Sequence, residues 1–214
     1  MIAQVLPFNP EYAFALKAIR GGKYGKLLGG HFKRIISEPT WLKDFWDPKT
    51  VGGPLVDLHI HDAHFIRLAF GMPAALFSSG RLRGDVVEFA TTQFLYPAGN
   101  LAVAATSGVL GQQGREFTHA FEIHLERATL LYDFAVLGGK PVVNMPLTVL
   151  TADGRVEQPK LPGGDAFVTE LTEAARAIRT GRPSPLLDGE LAMDALALCH
   201  KQTQSVLTGK LVKT

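Results

Sequence analysis

The feature that most limits the fold is a succession of strand-like runs between residues 74 and 151, joined by short turns. Several of these runs alternate apolar and polar residues, as strands with one buried face do. The turn signals "YPAGN", "LGGK" and "TADGR" separate them. Strands that are connected so closely must pair in an antiparallel fashion. The predicted strands span residues 74–83, 85–96, 101–110, 119–127, 128–137 and 141–150.

Helical segments flank this run on both sides. "NPEYAFALKAIRGG" begins with a capping asparagine and ends in glycine, and two segments with similar punctuation close the chain. "LLGGHFKRIIS" and the opening "MIAQVLPF" are further predicted strands. The pattern predicts an α+β fold, with a largely antiparallel, open-faced sheet of about six or more strands and helices packed on one face.

The composition excludes several classes of protein. Of the 214 residues, 46% are hydrophobic and 20% are charged, which is typical of a globular chain. The net charge of +2 and the scattered basic residues argue against a nucleic-acid partner. The N-terminal residues lack the basic and apolar regions of a signal peptide and no run of about 18 apolar residues occurs, so we expect no signal peptide, no membrane span and a cytoplasmic location. The single cysteine, Cys199, excludes an intramolecular disulfide.

The stretch "GGPLVDLHIHDAHFIRLAFG" carries three of the seven histidines. At about 100° per residue, a helix places His61 one turn after Asp57, with His64 nearly in line with both. His59 and Asp62 point more than about 90° away from that line. The imidazoles therefore do not converge as metal ligands would, and we expect no metal. A proton-transfer pair of Asp57 and His61 and a plain surface helix fit the spacing equally well.

The longer run "GGPLVDLHIHDAHFIRLAFGMP" resembles a stretch typical of the C-terminal domain of the glucose–fructose oxidoreductase / inositol dehydrogenase (Gfo/Idh/MocA) family. "WLKDFWDPKTVGG" is similar to the Trp-bearing loop of that domain, and the opening and closing helices are similar to their counterparts. The resemblance spans essentially the whole chain. It implies part of an enzyme that oxidises a CH–OH group of a sugar or polyol and passes hydride to NAD or NADP.

By this resemblance, Asp57 and His61 match the catalytic pair of the family. The histidine takes the proton of the substrate hydroxyl, often with a lysine from the nucleotide-binding domain, and the aspartate supports it. The chain departs from the family pattern at His64, where aspartate is usual, and at Pro7, where many members have arginine. These two departures imply altered contacts with the substrate.

Four residues are candidate substrate contacts. Trp41 lies where the resemblance places the rim of the pocket, and an indole ring stacks well on a sugar face. Lys33 and Lys43 can donate hydrogen bonds to a polyol, and His64 occupies a position of the family motif. His31 would share the strand face of Lys33. The resemblance also implies a homo-oligomer that forms through the open sheet face.

The nucleotide-binding domain of the family has no counterpart in the sequence. No two glycines lie two positions apart, so a Gly-x-Gly-x-x-Gly loop is impossible. The resemblance predicts that residues 1–8 are a remnant of the last strand of that domain, frayed or re-paired, and that residues 9–214 form a single domain. NAD or NADP would bind in the complete enzyme and not to this chain alone. The required partner is a Rossmann domain, in cis or in trans.

The sequence therefore predicts the substrate-binding and catalytic half of an NAD(P)-dependent sugar or polyol oxidoreductase, inactive without a Rossmann domain. One alternative is a non-catalytic carbohydrate-binding or dimerisation module of the same fold. Another is metal-dependent hydrolysis by the histidine cluster.

Overall fold

A computed structural model describes residues 1–97 and 100–214 of the chain. Two residues of the predicted turn at 96–100 lie outside the described residues. The strands are β1 (Leu27–Ser37), β2 (Ala75–Arg83), β3 (Val86–Leu95), β4 (Ala102–Leu110), β5 (Arg115–Leu125), β6 (Ala128–Leu137), β7 (Lys140–Thr151), β8 (Val156–Glu157) and β9 (Val212–Lys213). The helices are α1 (Pro10–Gly21), α2 (Ile60–Phe70), α3 (Ala166–Thr180) and α4 (Gly189–Thr208), with a 3₁₀ turn at Leu6–Phe8 and a π-turn at Pro54–Leu58.

The strands form one nine-stranded sheet in the order β8-β7-β6-β5-β1-β4-β3-β2-β9. Strand β1 pairs antiparallel with β5 and parallel with β4, and the other neighbouring strands pair antiparallel. The predicted α+β class and all six strands between residues 74 and 151 are confirmed. The parallel pair was not predicted. It forms because a loop, α2 and the β2–β3 hairpin separate β1 from β4, which is enough chain to return in the same direction.

The helix boundaries follow the capping residues in the sequence. Helix α3 begins after Asp165, whose carboxylate accepts hydrogen bonds from two backbone amides, and ends at Gly181 with φ 64°. Helix α4 begins after Asp188 and ends at Gly209 with φ 65°. A left-handed residue after the last turn satisfies free helix carbonyls, and glycine adopts that conformation without a Cβ clash. These predicted helices are confirmed, as is the end of α1 at a glycine, Gly22. The predicted cap of α1 is not, because the side chain of Asn9 forms no capping hydrogen bond.

The predicted strand at the start of the chain is wrong. Residues 1–5 form no regular element, and Leu6–Phe8 form a 3₁₀ turn with buried side chains. Pro7 explains the difference, because its ring fixes φ and it has no backbone N–H to donate to a strand partner. The segment instead runs beside α3 and the link between α3 and α4, where the Ile2 amide donates to the Leu187 carbonyl at 3.0 Å.

The expected continuous helix over residues 53–70 begins as a π-turn. The His59 amide donates to the Pro54 carbonyl at 2.8 Å, five residues back, before α2 continues with α-helical geometry. The preceding glycine pair makes this turn possible. Gly53 has φ 70°, and a Cβ at this position would lie 2.1 Å from Val86 Cγ1. The π-turn changes the register of the residues within it relative to those of α2.

Aromatic side chains fill the core between the sheet and the first two helices. Phe32 of β1 meets Phe65 and Phe70 of α2 edge to face, at ring distances of 6.0 and 5.9 Å. Tyr12 of α1 meets Phe65 at 5.0 Å and Phe121 of β5 at 4.9 Å. These contacts place α1 and α2 against the same face of the sheet, and each such side chain contributes roughly 1.5–3 kcal/mol by its burial. None of the described helices combines the length and apolar character needed to cross a membrane.

Candidate functional site

A buried ion pair joins the central strand to the histidine-bearing helix. Arg34 Nε donates to Asp62 Oδ2 at 2.6 Å, and Arg34 Nη2 donates to Asp62 Oδ1 at 3.0 Å. Burial raises the pKa of Asp62, but attraction and hydrogen bonding from Arg34 outweigh this effect and hold the pKa below its ordinary value. The two-pronged geometry fixes the direction of both side chains. It therefore fixes the first turn of α2 against β1.

Polar groups continue from this ion pair into the core. His59 Nδ1 lies 3.9 Å from Asp62 Oδ2, and burial lowers the pKa of His59 to about 4. Gln202 Nε2 lies 2.9 Å from His59 Nε2 and donates to Thr92 Oγ1 at 2.9 Å. His59 and Gln202 thus share one hydrogen bond, whereas His59 Nδ1 and Gln202 Oε1 have no hydrogen-bond partner among the described residues. The Thr92 hydroxyl is bonded in turn to that of Ser78 at 2.7 Å, so the network ties α2 to α4 and the sheet.

His61 lies in the first turn of α2, next to this network. Its ring is half-buried, and its Nδ1 atom is buried without a hydrogen-bond partner among the described residues. Burial, followed by the nearby Arg34 cation, lowers the pKa of His61 to about 4. The imidazole is therefore neutral at pH 7 and has a free lone pair for a bound molecule, although burial makes it a weaker base than an exposed imidazole.

Asp57 lies in the π-turn, four residues before His61, and its side chain is exposed. Partial burial raises the pKa of its carboxyl group. Within the described part of the chain, no hydrogen bond and no ion pair within 4.0 Å joins Asp57 to His61. The two residues belong to different helical segments, Asp57 to the π-turn and His61 to α2.

The structure buries His64 completely. Neither of its ring nitrogens has a hydrogen-bond partner among the described residues, and burial lowers the pKa of this group to about 4. A further buried imidazole, His119, lies in β5 and stacks on the ring of Tyr12. The Tyr12 hydroxyl lies 3.2 Å from its Nδ1 atom, and burial lowers the pKa of His119 to about 3.

Trp41 and Lys43 lie in the loop of residues 38–53, which leads directly into the π-turn. The Trp41 side chain is 74% exposed, and Lys43 is also exposed. The second tryptophan of the loop is held in place. Trp46 Nε1 donates to Glu38 Oε1 at 3.1 Å, and the Arg83 guanidinium lies 4.4 Å from its ring centre. Of the two indoles, Trp41 is thus the one available to stack on a ligand.

Lys33 lies on the opposite face of β1 from Arg34. Successive side chains of a strand point to opposite faces, and Arg34 contacts α2, so Lys33 and His61 lie on different sides of the sheet. Lys33 Nζ forms an ion pair with Asp133 at 2.7 Å, and Asn144 donates to the same carboxylate at 3.1 Å. As predicted, His31 shares this face, where both basic residues line a cavity of about 380 Å³.

The most organised part of the site was not predicted. Arg34 and Asp62 were not assigned roles, although the alternation of β1 places Arg34 beside Phe32 on the buried face. An arginine at an inward position of an apolar strand is the signal that could have found the pair, because such a cation needs a buried partner. Gln202 and Thr92 carry no comparable signal, since their contact joins segments 110 residues apart.

The described residues do not fit the pyrophosphate of a dinucleotide. Such a group binds free backbone amides at the N-terminus of a helix. The Asp165 and Asp188 carboxylates already cap α3 and α4, and the first turn of α1 lacks one amide at Pro10 and carries the acidic side chain of Glu11, which disfavours an anion. Helix α2 continues directly from the π-turn. The described residues also contain no group of three or more His, Cys, Asp and Glu side chains placed to hold a metal ion.

The sequence model described as the GFO/IDH/MocA C-terminal domain matches residues 12–131. The chain belongs to the GFO/IDH/MocA family. The match includes β1, the π-turn and α2, so the ion pair of Arg34 and Asp62 and the pair of Asp57 and His61 lie within the family domain. No curated protein sequence matches the chain.

Solved oxidoreductase structures share the GFO/IDH/MocA fold of this chain. A protein assigned as an NADPH-dependent oxidoreductase from Desulfitobacterium hafniense has a TM-score of 0.81 and 17% identity, over 100% of this chain and 64% of its own. The aldose–aldose oxidoreductase of Caulobacter crescentus, complexed with glycerol, has a TM-score of 0.73 and 19% identity, over 100% and 63%. Levoglucosan dehydrogenase, complexed with NADH and levoglucosan, has a TM-score of 0.74 and 17% identity, over 100% and 66%.

The chain spans less than two thirds of the length of each of these three proteins. At such low identities the likeness shows the fold alone. About a third of each of these larger oxidoreductases therefore has no counterpart in this GFO/IDH/MocA domain.

Proposed function

We propose that this chain is the substrate-binding and proton-transfer part of an NAD(P)-dependent sugar or polyol oxidoreductase. NAD or NADP would be held by a separate nucleotide-binding domain, in cis or in trans, because the chain has no Gly-x-Gly-x-x-Gly loop to receive the pyrophosphate at a helix N-terminus. The observation that carries the proposal is the protonation and exposure of His61, which lies in the part of the chain that matches the GFO/IDH/MocA C-terminal domain. Its imidazole is half-buried and neutral at pH 7, and no described residue forms a hydrogen bond with Nε2, the ring nitrogen that is not enclosed.

His61 acts in this proposal as the acceptor of the substrate hydroxyl proton. A neutral imidazole accepts a proton at one ring nitrogen, and a rigid support keeps that nitrogen in place. The support is the ion pair of Arg34 with Asp62, the residue next to His61. Asp57 is exposed at the start of the same segment, where its carboxylate can bind a second substrate hydroxyl or stabilise protonated His61 once a substrate orders the site.

An apolar stripe on α3 supports a partner domain. Phe167, Leu171 and Ile178 are 63%, 67% and 73% exposed, and their spacing of four and seven residues places them in one line along the helix. We call these three residues the α3 stripe. A line of large apolar side chains on a helix is ordinarily buried against another element. The α3 stripe is the surface on which a nucleotide-binding domain would dock.

The sheet face opposite α2 supports self-association. It carries the exposed apolar side chains of Phe77 and Met145, on either side of the ion pair of Lys33 and Asp133. A mixed face of this kind suits a second copy of the same chain, because the ion pair is already satisfied and the apolar groups are free to pack. We propose that homo-oligomers form through this face, which leaves the His61 side of the sheet open.

The test is a fusion of this chain to the nucleotide-binding domain of levoglucosan dehydrogenase. We expect oxidation of at least one member of a panel of sugars and polyols, measured by the absorbance of reduced cofactor. The change His61→Gln should lower kcat/KM by about 10²–10⁴-fold, the usual contribution of a proton-transfer group. His200→Gln changes an exposed histidine of α4 and is the matched control. Equal activity of the two variants would remove His61 from the mechanism.

A non-catalytic carbohydrate-binding module is the second candidate function. The observation that favours it is the exposed indole of Trp41, which can stack on a sugar without any cofactor. Calorimetry of the isolated chain with the same sugars distinguishes the two functions. Sugar binding that is lost in Trp41→Ala, together with an inactive fusion protein, would favour the binding module.

A further inference from the structure

A cleft of about 780 Å³ lies between α1 and α3, away from the His61 site. Its volume falls in the range of sites that bind small molecules, roughly 300–1,000 Å³. Most of its wall is apolar and comes from three parts of the chain that the fold brings together. The apolar wall consists of Pro7, Phe8, Pro10, Ala13, Leu16, Pro162, Pro185 and Leu186.

Cations surround this apolar wall. Lys17 and Arg20 of α1 and Arg176 and Arg179 of α3 line the cleft, together with one carboxylate, Glu173. Glu173 is occupied, because Arg176 donates to both of its oxygens at 2.7 and 2.8 Å. Within the described residues, none of the other three cations has a carboxylate within 4.0 Å. The cleft therefore keeps an excess of positive charge beside an apolar surface.

We propose that this cleft binds an amphipathic organic anion, a molecule with an apolar body and one carboxylate or similar charged head. The apolar wall removes the body from water, and Arg20 and Arg179 attract the head from the two facing helices. The body of such a ligand would lie along Leu16 and Phe8, and its head at the cationic rim. Neutral or cationic molecules of the same shape would not be attracted by Arg20 and Arg179, and we expect them to bind more weakly.

The cleft is independent of the site proposed for oxidation. None of its lining residues belongs to β1, the π-turn or α2. At about 100° per residue, Arg176 lies about 140° around α3 from Leu171 and about 160° from Ile178. A domain that docks on the α3 stripe therefore leaves the cleft on the far side of the helix. Binding to the cleft can be measured on the isolated chain, whatever the outcome for the dehydrogenase proposal.

The experiment is isothermal titration calorimetry of the isolated chain with sodium decanoate at low salt. We expect one site with a Kd below about 1 mM, which weakens as salt screens the cations. Decyltrimethylammonium, with the same chain and the opposite charge, should bind at least about tenfold more weakly. No binding of decanoate, or equal binding of the two surfactants, would overturn the proposal.

Two pairs of variants locate the binding site. Arg20→Gln/Arg179→Gln should weaken decanoate binding at least about tenfold, whereas Lys26→Gln/Lys140→Gln removes the same charge elsewhere and should leave it unchanged. Thr172→Trp fills the cleft without removing charge and should also abolish binding. Ala175→Trp adds the same ring to an exposed position of α3 outside the cleft. Equal effects of each variant and its control would place decanoate somewhere else and refute the assignment.

Discussion

Arg34 on the central strand binds both carboxylate oxygens of Asp62 on α2, and the two side chains are 3% and 1% exposed. This contact fixes the residue next to His61 relative to the sheet. Removing two charges from water is costly, and their attraction offsets that cost only when the geometry is good. The pair therefore adds little net stability by itself. Loss of either side chain, however, would leave the other charge buried without a partner.

The first prediction concerns the loss of one partner. Arg34→Met leaves the Asp62 carboxylate buried without a countercharge, and we expect the free energy of unfolding to fall by about 3–5 kcal/mol. Asp62→Asn should have an effect of the same sign, because it leaves the guanidinium buried with a weaker acceptor. Urea unfolding followed by tryptophan fluorescence measures both changes.

Two controls separate the pair from general damage to the core. Arg34→Met/Asp62→Leu removes both charges and should recover most of the lost stability. Lys33→Met removes the neighbouring cation, whose ion pair with Asp133 is partly exposed, and should cost no more than about 1 kcal/mol. A double variant as unstable as Arg34→Met would show that the pair is not an isolated electrostatic unit.

The second prediction concerns acid. Burial holds the pKa of His59, His61 and His64 at about 4 and that of His119 at about 3, so all four are neutral in the folded protein. The unfolded chain binds these protons below about pH 6.5. Stability is therefore full above pH 6.5 and falls as the pH drops towards 4, by up to about 1.4 kcal/mol per pH unit for each group. Urea unfolding at a series of pH values measures this slope.

His64 provides the sharpest test of that slope. Its ring nitrogens have no partners among the described residues, so His64→Phe removes a protonation site without breaking a hydrogen bond. We expect the dependence of the unfolding free energy on pH to decrease by the contribution of one proton, up to about 1.4 kcal/mol per pH unit. The unfolding free energy at pH 8 should change little. His200→Gln changes an exposed imidazole and should leave the slope as it was. If His64→Phe also left it unchanged, His64 would be protonated in the folded chain.

The sheet and its helices could be predicted because their signals are local. The β7 strand runs largely apolar between two glycine-containing turns, and Asp165, Gly181 and Gly209 mark helix ends within one turn of the chain. The opening strand was predicted from its apolar residues alone, whereas residues 1–5 form no regular element and Pro7 lies in a 3₁₀ turn. The parallel pairing of β1 with β4 has no local signal and depends on how the sheet closes around the core.

The site was predicted less completely than the fold. Helical spacing predicted that His61 and Asp57 lie on one face of a helix. The π-turn that precedes α2 follows Gly53, which packs closely against Val86, and this contact exists only in the folded protein. The partners of His59 and Asp62 come from α4 and β1, far away in sequence. Contacts of this kind follow from tertiary packing, so a single sequence identifies the residue types and not their pairing.

The third prediction concerns the α3 stripe. Leu171→Lys/Ile178→Lys changes two exposed residues, so the isolated chain should keep its stability to within about 0.5 kcal/mol for each substitution. In the fusion protein the same change should lower activity and raise protease sensitivity between the domains, because the docking surface becomes charged. Leu207→Lys, on an exposed position of α4, is the control. A fusion that tolerates the α3 changes as well as Leu207→Lys would show that the partner domain docks elsewhere.

The fourth prediction is that the isolated chain binds neither NAD(H) nor NADP(H) with a Kd below about 1 mM. A dinucleotide needs free backbone amides at a helix N-terminus and a glycine loop that lets the pyrophosphate approach. Here the Asp165 carboxylate already accepts the amide hydrogens of Phe167 and Val168, and Asp188 accepts that of Glu190. Calorimetry with each nucleotide measures the affinity, and the fusion protein, which contains a nucleotide-binding domain, is the positive control. Micromolar binding to the isolated chain would show that the cofactor uses a site formed by this domain, and the need for a separate nucleotide-binding partner would disappear.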